Sequence, residues 1–403
     1  MPRKKPLKGV IYALCVIIFA VSMIAYPQEV FEASQRGLDA WWNIVFPALL
    51  PFFIVSHLMM SFGIVHFLGV LLEPLMKPIF NVPGNGAFVM AMGYTSGFPI
   101  GSLLTVDLRK NNLCTRIEGE RLISFTNNAS PLFMFGAVSI GMFNNPRLGI
   151  ILASAHYCAN LSIGLLLRFY GYNDPEKLDR NISTKKIVRR SIQAMLAVQQ
   201  KNEKPLGELL GTAIKKSMAT LSSIGGFIIL FSVILQVLIQ LGVIPLISIL
   251  LAKVLTSLGL DAQLSTSLSA GLFEVTLGSK LASEIHVPLY QQLIAVSMVM
   301  GWSGLSVHAQ VASIISDTDL RLWPFVLSRF GQGLLATIYF VIFFGPATPV
   351  FNQVGQIDYI AAQNPLWITI LIQLATFITI MFGAAVLSLL LAIWQNTFGF
   401  RVR

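Results

Sequence analysis

Long runs without charge, separated by short polar segments, set the pattern of the chain. About 20 apolar residues cross a bilayer core, so each run is a candidate span. Residues 9–26 form the first, preceded by Arg3, Lys4, Lys5 and Lys8. No small-x-small cleavage pattern follows at Tyr26-Pro27-Gln28, so this run reads as a retained anchor. Residues 40–72 are uncharged, too long for one span and awkward for two. Residues 87–106 are broken by Gly93, Gly97, Pro99 and Gly101, whereas 122–146 and 148–167 have ordinary span lengths. The second half has runs at 217–252, 262–273, 285–316, 322–355 (interrupted by Arg329) and 359–400.

The halves resemble each other. Gly101-Ser102-Leu103-Leu104 aligns with Gly278-Ser279-Lys280-Leu281, Ser130-Pro131-Leu132 with Ser303-Gly304-Leu305, and Arg147-Leu148 with Arg321-Leu322. The order of these matches, within one hydropathy profile, points to a tandem duplication of the kind common in secondary transporters. Each copy reads as a span, an interfacial helix, a re-entrant hairpin and two further spans. In the first copy these are about 38–60, 67–80, 84–104, 120–143 and 147–170. In the second they are about 212–241, 244–258, 262–283, 288–315 and 322–344. Three crossings per copy make the copies antiparallel. With the anchor and a last span near 366–394, the expected fold is an all-α polytopic membrane protein with about eight transmembrane helices. It is an inverted repeat with two re-entrant hairpins and two interfacial helices. The corresponding division is an anchor (1–36), a first repeat (37–170), a basic cytoplasmic loop (171–208), a second repeat (209–345) and an external loop with the last span (346–403).

Charge supports that topology. With both termini inside, the cytoplasmic segments carry 23 Lys and Arg and the external ones 4, with Arg329 inside the membrane. This is the positive-inside asymmetry. Reading 67–80 as a full span would put the basic loop outside. Glu73, Pro74, Lys77 and Pro78 suit an interfacial helix better. The net charge of +10 is thereby explained without nucleic acid. The bilayer is the expected partner, the cell membrane the expected location, and homo-oligomerisation is left open. The basic stretch around Lys185–Arg190 has helical periodicity and reads as a helix lying on anionic lipid.

Composition narrows the classes. Of 403 residues, 55% are hydrophobic and 11% charged, against roughly 25% charged in soluble domains. A soluble enzyme, a disulfide scaffold and a disordered chain are excluded. Cys15, Cys114 and Cys158 form no CxxC pair, so neither a metal knuckle nor a redox motif is expected. There is no Walker, HExxH or GxSxG pattern and no carboxylate pair outside the membrane. No enzyme, metal or cofactor is expected, and the coupling ion is not legible.

Polar residues at membrane depth mark candidate chemistry, because irregular backbone there must be buried in protein or line a wet cavity. In Gly93-Tyr94-Thr95-Ser96-Gly97-Phe98-Pro99-Ile100-Gly101-Ser102, Pro99 breaks one helix and suits the start of another. The result is a hairpin whose tip amides suit anions, or a glycine-rich kinked span. In Ser124-Phe125-Thr126-Asn127-Asn128-Ala129-Ser130-Pro131, the proline frees the carbonyl of Asn127, and the stretch reads as an unwound segment facing a cavity or as asparagines hydrogen-bonding between helices. The second copy carries Glu274, Lys280 and Arg329 as intramembrane ionisable residues. Glu274 and Lys280 could pair with each other, and Arg329 could snorkel to the cytoplasmic face. His156 and His308 read as hydrogen-bonded helix residues.

The strings Gly93-Tyr94-Thr95-Ser96-Gly97-Phe98-Pro99 and Thr126-Asn127-Asn128-Ala129-Ser130-Pro131 resemble the YlbJ family of sporulation integral membrane proteins, also called SpoVV. The duplicated module resembles the nucleoside-recognition gate domain of concentrative nucleoside transporters. The resemblance implies an interfacial helix, a hairpin and a broken helix in each copy. It also implies movement of dipicolinate, a small dianion, across the outer forespore membrane. Nucleoside transporters carry a Gln-Thr-Glu-type string where this chain has Tyr94-Thr95-Ser96, a loss of carboxylate that suits an anion.

The expected function is secondary transport of a small anionic aromatic metabolite. Thr95, Ser96 and Ser102 are expected to bind carboxylate oxygens, and Asn127, Asn128 and Ser130 to orient the ring and second carboxylate. Ser279, Ser303 and Ser306 are their counterparts, and Lys280 or Arg329 supplies positive charge. Gly97, Thr126, Glu274 and Thr276 border these positions and complete the expected site. Nucleoside or nucleobase transport on the same scaffold and a non-transporting sporulation scaffold are the alternatives.

Overall fold

Glycine and proline cut the apolar runs into helices, and the cuts fall at matching places in the two halves. The structure is a computed structural model that describes residues 6–171, 174, 176, 187–201 and 204–353. Among these residues the elements are all helical. The expected last span and most of the 346–403 segment lie outside them, as does part of the 171–208 loop.

The anchor, α1 (Pro6–Ala25), turns sharply into α2 (Pro27–Ala40). Pro27 fits the first turn of α2, where its missing amide costs nothing. A short π-helical turn (Trp41–Val45) carries α2 into α3 (Phe46–Ser61), so this helical run starts 11 residues before the expected position 38. Trp41 explains the offset. Its ring covers Gly225, where a Cβ would lie 2.6 Å from the indole, and its Nε1 donates to Leu221 O at 2.9 Å.

After α3 come α4 (Ile64–Phe80), α5 (Gly86–Ser96) and α6 (Ile100–Lys110). Next is α7 (Arg116–Thr126), then a break, a π-helical segment (Leu132–Met142) and α8 (Leu148–Leu167). The basic loop contributes α9 (Ile187–Lys201), packed along α4, with Gln199 Nε2 donating to Phe62 O at 3.1 Å. The order then repeats. The long α10 (Leu206–Gln240) is followed by α11 (Val243–Ser257), the pair α12 (Leu264–Phe273) and α13 (Val275–Glu284), the pair α14 (Leu289–Trp302) and α15 (Gly304–Ile315), and α16 (Trp323–Gln353). Gly63 and Gly242 stand at the same joint in each half, with φ of +72° and +75°. That left-handed conformation is cheap only for glycine.

The chain is thus an all-α polytopic membrane protein. Among the described residues, four helical stretches are long and apolar enough to span a bilayer, or up to six if two bent pairs each count as one. The expected span at 120–143 is not one helix, because α7 and the π segment divide it.

The polar ends of the halves are tied together by charge. Glu120 of α7 is fully buried, and its carboxylate accepts from Arg321 Nε at 2.8 Å, Arg321 N at 3.1 Å and Tyr170 Oη at 2.6 Å. Burial, reinforced by that carboxylate, pushes the Tyr170 phenol up to about 12, so it remains a donor. Arg109, at the end of α6, binds Asp319 at 2.7 Å and Glu176 at 2.8 Å. Its guanidinium holds the Asp319 carboxyl below its usual range. Removing Arg321 leaves the buried Glu120 carboxylate with Tyr170 and a longer contact to Arg116 at 3.8 Å, whereas exposed pairs contribute at most about 1 kcal/mol. Arg321→Ala should therefore lower stability by about 2 kcal/mol in thermal melts in detergent. Lys110→Ala, which removes the exposed partner of Asp317, should change it by less than about 0.5 kcal/mol.

Candidate substrate site

The break after α7 organises the site. A helix end leaves its last carbonyls without partners, and Pro131 cannot donate to Asn127 O. In a dry interior each free carbonyl would be costly. Here side chains from the other helices reach them. Arg329 of α16 donates from Nη1 to Asn127 O at 2.7 Å, from Nη2 to Ser124 O, and from Nη2 to Asn160 Oδ1 at 3.1 Å. Asn160 of α8 donates from Nδ2 to Phe125 O. His156, one turn earlier on α8, accepts from Ala129 N at 3.3 Å. Ser130, the last residue of the gap, precedes the π segment, and its hydroxyl accepts from Phe133 N at 3.1 Å.

The first hairpin, α5 and α6, clasps this break. The carbonyl of Thr126 lies between Gly93 and Gly101, where a Cβ would come within 1.9 Å and 2.5 Å of that oxygen. Gly97, at the tip, has φ +85° and lies against Ser130, 2.8 Å from where its Cβ would be. Tyr94 completes the contact: its ring stacks on Tyr157 at 5.1 Å, its carbonyl accepts from Tyr157 Oη at 2.9 Å, and its hydroxyl accepts from Asn160 Nδ2 at 3.1 Å.

The second hairpin, α12 and α13, also meets its own break, with the roles exchanged: the hairpin's carbonyl lies against the break's glycine. A Cβ on Gly304 would lie 2.9 Å from Phe273 O, and Trp302 Nε1 donates to Leu272 O at 3.0 Å. Ser303 takes a left-handed φ of +75°. Apolar residues at both tips belong to a common core. Val275, Ala129 and Phe98 share one apolar cluster, and Phe98 also packs against the cluster holding Phe325, Val307 and Val311.

Twelve of the expected site residues fall into three groups, and the three ionisable ones behave individually. Ser96, Ser102, Asn127, Asn128 and Ser279 are buried and keep side-chain atoms without a hydrogen-bond partner. Unpaired buried polar atoms cost about 1–3 kcal/mol each, so a cluster of them calls for an explanation. Gly97, Thr126, Ser130, Ser303 and Ser306 shape the breaks and tips around that cluster. Thr95 and Thr276 are half-buried, and the Thr95 hydroxyl donates to Ala91 O at 2.9 Å. Lys280 stands apart: its side chain is 58% exposed and pairs with Glu284 at 3.9 Å, not with Glu274. Glu274 caps α13, accepting from Leu277 N at 2.6 Å. Arg329 does not snorkel. It is wholly buried, with its guanidinium 5.4 Å from the Phe325 ring.

The tips differ electrostatically. Glu274 already offsets the positive end of α13, while α6 has no side-chain cap. No carboxylate pairs with Arg329 among the described residues; its three bonds all go to neutral oxygens. Asn160, Gln332, His156 and Tyr94 belong to this polar core and were not among the expected site residues. Gln332 Nε2 lies 3.2 Å from His156 Nε2, and both residues keep an unpaired buried atom. Their signal was spacing: His156 and Asn160 lie four apart, Arg329 and Gln332 three apart, each pair on one helix face.

Two hairpins, each clasping a broken helix around buried polar groups, define an integral membrane protein of the gate class. A family model described as nucleoside recognition, Gate, matches the chain twice, at residues 43–170 and 221–366. The sporulation integral membrane protein YlbJ of Bacillus subtilis (strain 168) is 44% identical over 373 residues, covering 90% of this chain and 91% of that protein. No solved structure matches. The chain belongs to the YlbJ family of sporulation integral membrane proteins, built from duplicated gate domains.

The clasp makes a direct prediction. Gly93→Ala places a methyl group on a backbone oxygen that cannot move without displacing α7. It should cost about 3 kcal/mol or more, read as a lower melting temperature and lower membrane abundance. Gly207→Ala, where nothing lies within 4 Å of the added Cβ, should be neutral or slightly stabilising.

Proposed function

We propose that this protein is a secondary transporter of a small anionic aromatic metabolite, with dipicolinate as substrate during sporulation. In this reading the two gate copies lie antiparallel, and the protein works in the outer forespore membrane. The observation that carries the reading is Arg329. A buried cation is costly unless it is compensated, and here its protein partners are all neutral. An anionic solute supplies the missing charge.

The surrounding groups support the same chemistry. The uncapped start of α6 contributes about half a positive charge. Ser96 and Ser102 offer free hydroxyls, and Asn127 and Asn128 offer amide atoms that the protein leaves unbonded. In this reading the serines bind carboxylate oxygens, the asparagines orient the ring, and Arg329 holds the break open while its field attracts the anion. Lys280 has no part in it.

Transport of a neutral nucleoside or nucleobase is the second reading. It is favoured by the description of the matching family model and by the amide and hydroxyl groups of the cluster. Proteoliposomes loaded with the purified protein separate the two. Labelled dipicolinate should enter saturably, and uridine should not. Asn127→Ala and Asn128→Ala should each cut that flux more than tenfold, with normal abundance, because these side chains line the cluster without making the break's essential bonds. Saturable uridine uptake without dipicolinate uptake would put the nucleoside reading first.

A further inference from the structure

A cavity of about 290 Å³ lies between the first hairpin, α10 and α15. Pro99 and Leu103 form one wall, Thr220 and Phe227 another, and Gln310 and Ser313 a third. Its lining is mostly apolar, with four uncharged polar side chains among it. On the same α10, Ser217 and Ser232 return their hydroxyls to the carbonyl four residues back. Thr220 and Ser223 make no such bond, and neither does Ser313 on α15. Gln310 is 4% exposed, and its amide also has no hydrogen-bond partner among the described residues. Four uncharged donors and acceptors therefore face one space, beside the apolar surfaces of Leu103, Ile224 and Phe227. Gln310 is the buried one of the four, Thr220 is half-buried, and Ser223 and Ser313 are exposed, so the space is an open pocket that water or a polar solute can enter.

The position of the cavity is informative. At one end it reaches Pro99, whose carbonyl accepts from Ser102 N at 3.1 Å; the Ser102 hydroxyl belongs to the unpaired polar cluster. At the other end each wall runs, within about a turn, to a charged residue: Asp107 beyond Leu103, Lys216 before Thr220, and Asp317 beyond Ser313. No charged residue lines the cavity itself.

We propose that this cavity is an outer binding station for the transported solute, on the side of the protein that carries Asp317. A small planar molecule rests its ring on Leu103, Ile224 and Phe227 and its polar edge on Gln310, Thr220 and Ser313. It then passes the hairpin tip toward Arg329. The absence of charge keeps the station weak, which favours onward movement over retention. The proposal rests on the transport reading, and its first test does not depend on the solute.

In a background with Cys15, Cys114 and Cys158 replaced by alanine, Thr220→Cys and Ser313→Cys are treated with the impermeant reagent methanethiosulfonate ethyltrimethylammonium. Inside-out and right-side-out vesicles are compared. Both positions should react from the cytoplasmic side only, at least tenfold faster than the outward-facing control Leu334→Cys. Reaction no faster than the control would overturn the proposal, as would reaction from the opposite side. In a second test Ser313→Trp fills the cavity. Dipicolinate flux should fall more than tenfold, while calorimetric dipicolinate affinity stays within twofold. Unchanged flux would also overturn the station. If the unmodified protein carries no dipicolinate, the transport reading fails by itself, and the labelling rates still decide the cavity.

Discussion

A helix broken inside a membrane must place its free carbonyls, and the rest of this structure follows from how that is done. Pro131 and the extended Asn127 end α7 where no water competes for its oxygens. Arg329 and Asn160 accept the task, using residues of two other helices. An arginine suits it because a planar guanidinium can reach several oxygens at fixed angles, which a lysine ammonium cannot do in the same way. The solution has an electrostatic consequence: satisfying neutral carbonyls with a cation leaves a positive charge buried at the centre of the protein. In the proposed function, the side chain that satisfies the backbone is also the one that attracts the anion.

The glycines answer a different constraint. The carbonyl of Thr126 can enter the fork of the first hairpin only because Gly93 and Gly101 have no side chains. In the second copy the corresponding closeness is between Gly304 and the Phe273 carbonyl, and between Gly278 and Gly271. The two copies share an architecture and differ in capping: the Glu274 side chain caps the second tip, and the first has no side-chain cap. The proposed anion site is accordingly asymmetric, weighted toward the first copy, although the sequences suggest near-equivalence.

Much of the fold was legible because its signals are local. Gly93 to Gly101 announce a hairpin or a kinked span, and Asn127 to Pro131 announce a break, whereas the joints at Gly63 and Gly242 show only in the structure. The site was legible only in part, because its decisive contacts are distant. Arg329 could be picked out as a charge in a span, but its acceptors lie 202 and 205 residues earlier. Lys280 looked central from its place in a repeated string. Helix geometry instead turns it away from its buried neighbour Ser279, since adjacent residues point about 100° apart. Asn160 and Gln332 stand among several polar residues of largely apolar helices, and only a search for same-face pairs would have linked them to the break.

The central claim is that buried, uncompensated Arg329 makes the site prefer an anion. Calorimetric titration of the purified protein with dipicolinate and with its neutral diamide tests it, because ring size and shape barely differ between the two. The account predicts that dipicolinate binds at least tenfold more tightly, with the difference shrinking as salt is raised. Equal affinity for the two, independent of salt, would contradict it.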